Sequence, residues 1–114
     1  MPKDEIVYVG HMLDKAHEAL SLVRGKTRRD YDEDTALRLA LTHLIQVIGE
    51  AAHRVSSQFR ESHPKIPWDV IAGMRSKIVH DYMNVDEDIV WESVTQELQP
   101  LIEELKKVLP PESS

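Results

Sequence analysis

"DTALRLALTHLIQVIGEAAHRVSSQF", residues 34–59, carries apolar side chains at Leu37, Ala40, Leu44, Ile48, Ala51 and Val55, in steps of three and four. Such spacing returns to one side of a chain that turns about 100° per residue, so it predicts an amphipathic helix and not a strand, whose faces alternate at every residue. Gly49, Ala51 and Ala52 on this helix are small enough for a neighbouring backbone to come close, which reads as packing. Upstream, Ile6, Val9, Leu13, Ala16, Leu20 and Val23 form a second seam, with Gly25 placed to cap its C-terminus. Downstream, Ser62, Pro64 and Pro67 mark a turn, and Pro67 suits the first position of a third helix, where a missing N–H costs nothing. A fourth helix starts after Asp86, a capping carboxylate followed by Glu87 and Asp88 at the positive end of the helix dipole. Its seam is Trp91, Val94, Leu98, Leu101, Leu105 and Val108, and Pro100 predicts a kink or short break near Gln99. No segment shows sustained strand alternation. The pattern predicts an all-α, antiparallel four- to five-helix bundle, a single domain over residues 1–109 with a frayed tail, 110–114, beginning at the Pro110-Pro111 pair.

A chain of 114 residues with 41% apolar content can bury one core. It has no cysteine, which removes disulfides, thiolate nucleophiles and cysteine metal sites together and suits a reducing cytosol. MPKDEIVYVG places acids where a signal peptide needs a basic region, and no run approaches the ~18 apolar residues of a membrane span. These features predict a soluble, cytoplasmic protein. His11, His17, His43, His53 and His63 have no companions at metal-ligand spacing, so no metal is expected. The net charge of -6 gives no global attraction for nucleic acid, and any phosphate contact must come from a local cluster. Arg24, Lys26, Arg28 and Arg29 form one, although Asp30, Asp32, Glu33 and Asp34 follow at once. By itself that segment reads as a solvated loop of mixed charge. Leu39, Leu41, Ile45 and Val47 lie beside or off the main stripe of the second helix, and two readings stay open: a homodimer interface, or complete coverage within one bundle.

The stretch "GMRSKIVHDYMNVDED", residues 73–88, sets an arginine, a histidine and a tyrosine, candidate catalytic groups, among aliphatic residues. On an ideal helix Ile71, Met74, Ile78 and Tyr82 share a face with Arg75 at its edge, while His80 falls about 140° around the axis from Arg75. One straight helix therefore does not bring the two to the same phosphate. Either the helix deforms near His80, or the working site combines groups from two copies of the segment. An imidazole with a reference pKa of ~6.5 can accept a proton from a ribose 2'-hydroxyl or donate one to a leaving oxygen. A guanidinium supplies permanent charge and a planar donor fork to the phosphorus transition state. Together they suit phosphodiester cleavage without metal. Taken alone, though, Arg75 and His80 also fit a surface pair, Tyr82 a core residue with its hydroxyl at the rim, and Asp81 a solvated acid.

"RSKIVHDY" has arginine, four residues, histidine, one residue and tyrosine, and it resembles the signature of the HepT-like branch of the HEPN superfamily of helical ribonucleases. The similarity continues through "IGEAAHRVS", "IPWDVIAGMR" and "VDEDIVWESVTQELQPLIEEL". This resemblance implies a dimeric bundle with the motifs facing one another, acting as the RNA-cutting toxin of a toxin-antitoxin pair without metal or other cofactor. It carries Arg75 and His80 over as the catalytic pair. It also implies that a minimal nucleotidyltransferase (MNT) antitoxin transfers AMP from ATP to the motif tyrosine, here Tyr82. Family members often have a polar amide or acid after the arginine; this chain has Ser76, whose hydroxyl can take a supporting hydrogen bond, as can Asp81. Arg75, Lys77 and the Arg24, Lys26, Arg28, Arg29 cluster are then candidates to hold RNA. Glu50, inside "IGEAA", is placed either to support the site from behind or to pair with Arg54 one turn on. The alternative function is a catalytically inactive helical module that binds a nucleotide or the partner enzyme.

Overall fold

A computed structural model describes residues 3–81 and 84–109, without the side chains of Lys3, Asp4, Val79, His80 and Asp81. The chain runs α1 (Lys3–Val23), α2 (Arg28–Asp32), α3 (Thr35–Arg54), α4 (Ser57–Ser62), α5 (Trp68–Ile78), β1 (Val79–Asp81), β2 (Asn84–Val85), α6 (Glu87–Glu92), a π-helical turn (Ser93–Glu97) and α7 (Leu98–Val108). The all-α bundle expected from periodicity is what forms. Central in it, α3 packs against both α1 and α5, and α7 closes over α1. Val9, Met12, Ala16, Leu44, Ile48, Ile71, Ile78, Val94, Leu98 and Leu105 meet in one connected core.

Short polar signals set the boundaries. Gly25, at φ 74, ends α1 in the left-handed conformation that a side chain resists. Thr27 and Asp30 form a reciprocal capping box on α2, with Thr27 N–H donating to Asp30 at 2.8 Å and Asp30 N–H to Thr27 at 3.1 Å. Asp34 accepts from Leu37 N–H (3.0 Å) to cap α3, and Asp86 accepts from Ile89 N–H (3.2 Å) to cap α6. Pro67 stands one residue before α5, and its carbonyl accepts the Ile71 N–H at 3.0 Å.

Three features depart from the periodicity. The predicted helix over 34–59 is two helices, because Val55 turns extended and Ser56 caps α4 by accepting from Phe59 N–H at 3.2 Å. Arg60 stabilises the break by donating to the Ala52, His53 and Val55 carbonyls at the end of α3. The fourth helix changes register over Ser93–Glu97, a turn ahead of Gln99, so that α7 starts at Leu98 and Pro100 falls in its first turn, where no N–H is required. The third helix ends at Ile78 and does not continue to Tyr82. From there Val79–Asp81 pairs antiparallel with Asn84–Val85, and Asp86 N–H returns to the Ile78 carbonyl at 2.7 Å. A two-residue ladder is too short to leave a period in the sequence. Residues 110–114, expected as a frayed tail, lie outside the described residues.

Much of the apolar surface that left a homodimer open is internal. Leu41 and Ile45 are fully buried within one chain, while Leu39 is exposed and Val47 half-buried.

Helices α3 and α5 come close together at Gly49. A Cβ there would meet the Ile71 carbonyl oxygen at 3.2 Å and the Arg75 Cβ at 3.5 Å. Gly49→Val is expected to destabilise the protein by about 1–3 kcal/mol, because backbone must move to admit it. Gly10 and Gly73 are helical glycines with open space around them. Gly10→Ala and Gly73→Ala should each stabilise by about 0.5–1 kcal/mol through helix propensity alone. Urea unfolding of the three variants reads both effects.

Candidate active site

The contact at Gly49 fixes the neighbourhood of Arg75. With the backbones this near, the arginine emerges one turn before the end of α5 directly over the next residue of α3, Glu50. Arg75 Nη1 donates to Glu50 Oε2, while Arg54 Nε donates to Glu50 Oε1 at 3.2 Å. Glu50 therefore pairs with Arg54 one turn on and also accepts a bond from Arg75 across the helix interface. Side-chain exposure is 47% for Arg75, 39% for Glu50 and 58% for Arg54, so both guanidinia keep donors open to solvent. The Glu50 carboxylate, and after it the Tyr8 hydroxyl, hold the Arg54 guanidinium above its ordinary pKa.

Arg75 stands on an open groove of about 540 Å³. Its floor is one stripe of α3, with His43, Gln46, Val47, Glu50, Ala51 and Arg54 recurring at three- and four-residue steps, and α1 adds Tyr8 and His11. That α3 stripe was readable from spacing. The contribution of α1 was not, because Tyr8 and His11 lie far away in sequence.

The end of α5 changes the angular problem at His80. An ideal helix separates it from Arg75 by about 140°, but the backbone leaves the helix at Ile78 and His80 lies in β1. Val79 pairs with Val85 and Asp81 with Asn84, so His80 is the extra residue of a β-bulge. Of the two arrangements left open by the sequence, a deformation of the helix before His80 is present. The side chains of His80 and Asp81, and all of Tyr82, lie outside the described residues.

Other predicted site residues are dispersed. Ser76 is solvent-exposed beside Arg75. Lys77 lines a separate groove, between α5 and the α6–π segment, where Glu92 and Glu97 accompany it. The basic cluster sits at the turn from α1 to α3, and the helical rise puts Thr35 about 21 Å from Gly49 along α3. There Arg28 is held by Asp32 and Asp88, both at 2.8 Å, and Arg29 by Glu33 at 3.6 Å. The hydrogen bonds that Arg28 donates, to Asp32 first and then to Asp88, push its guanidinium pKa up. Arg24 and Lys26 are exposed. Nearby, burial and then the bond from its hydroxyl to Glu87 raise the Tyr31 pKa, and its ring lies 5.3 Å from that of Trp91, joining α2 to α6. Among the described residues no group of three histidine, cysteine or carboxylate side chains could hold a metal, and no helix is long and apolar enough to cross a membrane.

Residues 12–108 match the family described as Ribonuclease HepT-like. The chain belongs to the HepT-like ribonuclease family. Among the relatives of this HepT-like chain is "Putative RNase TTE0752" of Caldanaerobacter subterraneus subsp. tengcongensis, 35% identical over 90% of this chain and 91% of that one. "Probable ribonuclease HepT" of Thermococcus cleftensis is 31% identical over 84% of this chain and 91% of its own. "Putative RNase MJ1216" of Methanocaldococcus jannaschii is 29% identical over 96% and 91%. No solved structure gives a significant match. The matched span takes in α3, α5 and β1, and with them Glu50, Arg75 and His80.

Two carboxylates in this HepT-like fold should respond differently to mutation. Glu50 and its two arginines are well exposed, so Glu50→Gln is expected to change stability by less than about 1 kcal/mol. Glu5, 6% exposed, accepts from the Ser56 backbone N–H (3.2 Å) and hydroxyl (3.1 Å), tying the start of α1 to the α3–α4 break. Glu5→Ala should cost about 1–3 kcal/mol by removing two hydrogen bonds to a charged group, as measured by urea unfolding.

Proposed function

We propose that the protein is the metal-independent endoribonuclease toxin of a type VII-like toxin-antitoxin pair, working as a homodimer with Arg75 and His80 as its catalytic residues. The observation that carries this reading is the family match over residues 12–108, which includes the α5–β1 junction where the half-exposed Arg75 is followed by His80 at a backbone bulge.

In the reaction, a ribose 2'-oxygen attacks the adjoining phosphorus, the P–O2' bond forms and the P–O5' bond breaks. The proton of the 2'-hydroxyl passes to a neutral imidazole, and an imidazolium gives one to the departing 5'-oxygen. Two copies of His80, one per protomer, supply base and acid. Arg75 neutralises the non-bridging oxygens as charge builds on them, and its Glu50 partner limits the orientations that its side chain can take. Ser76, exposed beside Arg75, supplies a hydroxyl for RNA or for the partner protomer. Asp81 supports the imidazole, and Lys77 with Arg24, Lys26, Arg28 and Arg29 forms outlying contacts to the RNA backbone. Of these, Arg24 and Lys26 contribute most, since Arg28 and Arg29 already hold carboxylates.

Control falls to an MNT antitoxin that transfers AMP from ATP to Tyr82, forming a P–O bond to the phenol and releasing pyrophosphate. A nucleotide attached two residues beyond His80 adds negative charge and bulk where RNA must lie.

Purified protein freed of its partner should cut RNA in the presence of a chelator and leave 2',3'-cyclic phosphate and 5'-hydroxyl ends. His80→Ala should lower the rate by at least about 100-fold, the usual scale of general acid–base catalysis, with its unfolding midpoint unchanged. Equal cutting by the two proteins rejects the assignment. Coexpression with the antitoxin should add one or more AMP masses to the intact protein and none to Tyr82→Phe.

A further inference from the structure

The groove at Arg75 is larger than one phosphate needs, and its walls differ in chemistry from a phosphate clamp. About 540 Å³ opens between α1 and α3, and Arg75 is the group that α5 contributes to it. Arg75 and Arg54 bring two positive charges against the single carboxylate of Glu50, a local excess of cation on a chain whose net charge is -6. An anion is therefore favoured at this edge of the groove. Away from that charged edge the lining changes character: Val47 and Ala51 give an apolar floor, Tyr8 a half-buried ring, and Gln46, His43 and His11 polar groups able both to donate and to accept. Flat aromatic and apolar surface beside a few two-way hydrogen-bonding groups is how proteins hold an unstacked nucleobase.

From this juxtaposition we infer that the groove is a nucleotide subsite, in which Arg75 holds the phosphate while the attached base lies along α3 and is read by Gln46 and His43. This rests on the ribonuclease reading and deepens it, since the base bound here adjoins the scissile phosphate and sets which linkages are cut. Gln46 is the discriminating group, because a carboxamide offers a donor and an acceptor side by side to a base edge. Tyr8 provides surface for stacking and is sequence-tolerant, whereas Gln46 and His43 select.

Binding and cleavage are measured separately. In the cleavage-impaired His80→Ala protein, the imidazole NMR signals of His11 and His43, assigned by substitution, are followed as each of the four nucleoside 3'-monophosphates is added, with inorganic phosphate as control. Saturable shifts of the His43 signal are expected from at least one nucleotide, binding at least tenfold tighter than inorganic phosphate. Gln46→Ala should narrow the spread of affinities among the four nucleotides, and Arg75→Ala should weaken all of them alike. With otherwise wild-type protein and RNAs that differ only beside the cut, Gln46→Ala should bring the kcat/KM values of the best and worst bases together. The subsite is overturned if inorganic phosphate and nucleotides bind equally, if the His43 signal does not move, or if Gln46→Ala scales kcat/KM for all bases by one factor. Nucleotide binding in this groove without RNA cleavage by wild-type protein upholds the subsite and overturns the ribonuclease reading; cleavage without any response at His43 does the reverse.

Discussion

Backbone contact between α3 and α5 at Gly49 governs the rest of this structure. Helix axes pack 8–10 Å apart according to the side chains between them, and glycine at the crossing allows close approach. A Cβ there would sit 3.2 Å from the Ile71 carbonyl oxygen, a tighter approach than ordinary van der Waals contact. Because the crossing lies beside Glu50 on one helix and Arg75 on the other, one missing side chain determines that these two charges meet. Arg75 is thereby held across an interface between two elements of the core, although it remains half exposed.

The same crossing sets what lies on each side of α5. Arg75 faces the groove along α3, whereas Lys77, two residues on, faces Glu92 and Glu97 beside the π-helical turn. Basic residues adjacent in sequence consequently serve different surfaces. The arginines of the α1–α3 connection are further removed, and two of them are engaged by carboxylates. A negatively charged chain can still present a local cationic spot where two guanidinia share one carboxylate, as Arg54 and Arg75 do at Glu50.

At the end of α5 the backbone leaves helical geometry between Ile78 and Val79, and the register of the short ladder assigns His80 to its bulge. This frees the histidine from the helical phase of Arg75. In the proposed mechanism that freedom matters, since one phosphate must be approached by a guanidinium from a helix and by imidazoles from extended segments.

The sequence by itself determined the class of fold and the family to which the chain belongs. Seams at Val9–Val23, Leu37–Val55 and Leu98–Leu105 encode helices because the apolar period matches the helical turn, and Gly25, Asp34 and Asp86 end or start them through local hydrogen bonding and backbone preference that need no distant partner. Family likeness was equally legible, because "RSKIVHDY" is contiguous. Tertiary structure decided the rest. Periodicity carried α3 on to Phe59 because Val55 and Phe59 are both apolar and in phase; the break depends on Ser56 and on Arg60 reaching back to three carbonyls. It also carried the third helix past Ile78, whose carbonyl is instead claimed by Asp86, eight residues on. The joining of Glu50 to Arg75, the entry of Tyr8 and His11 into the groove and the burial of Leu41 and Ile45 depend on which helices become neighbours and how closely they approach. Such relations belong to pairs of distant residues, and a one-dimensional pattern records only the phase of each residue within its own helix.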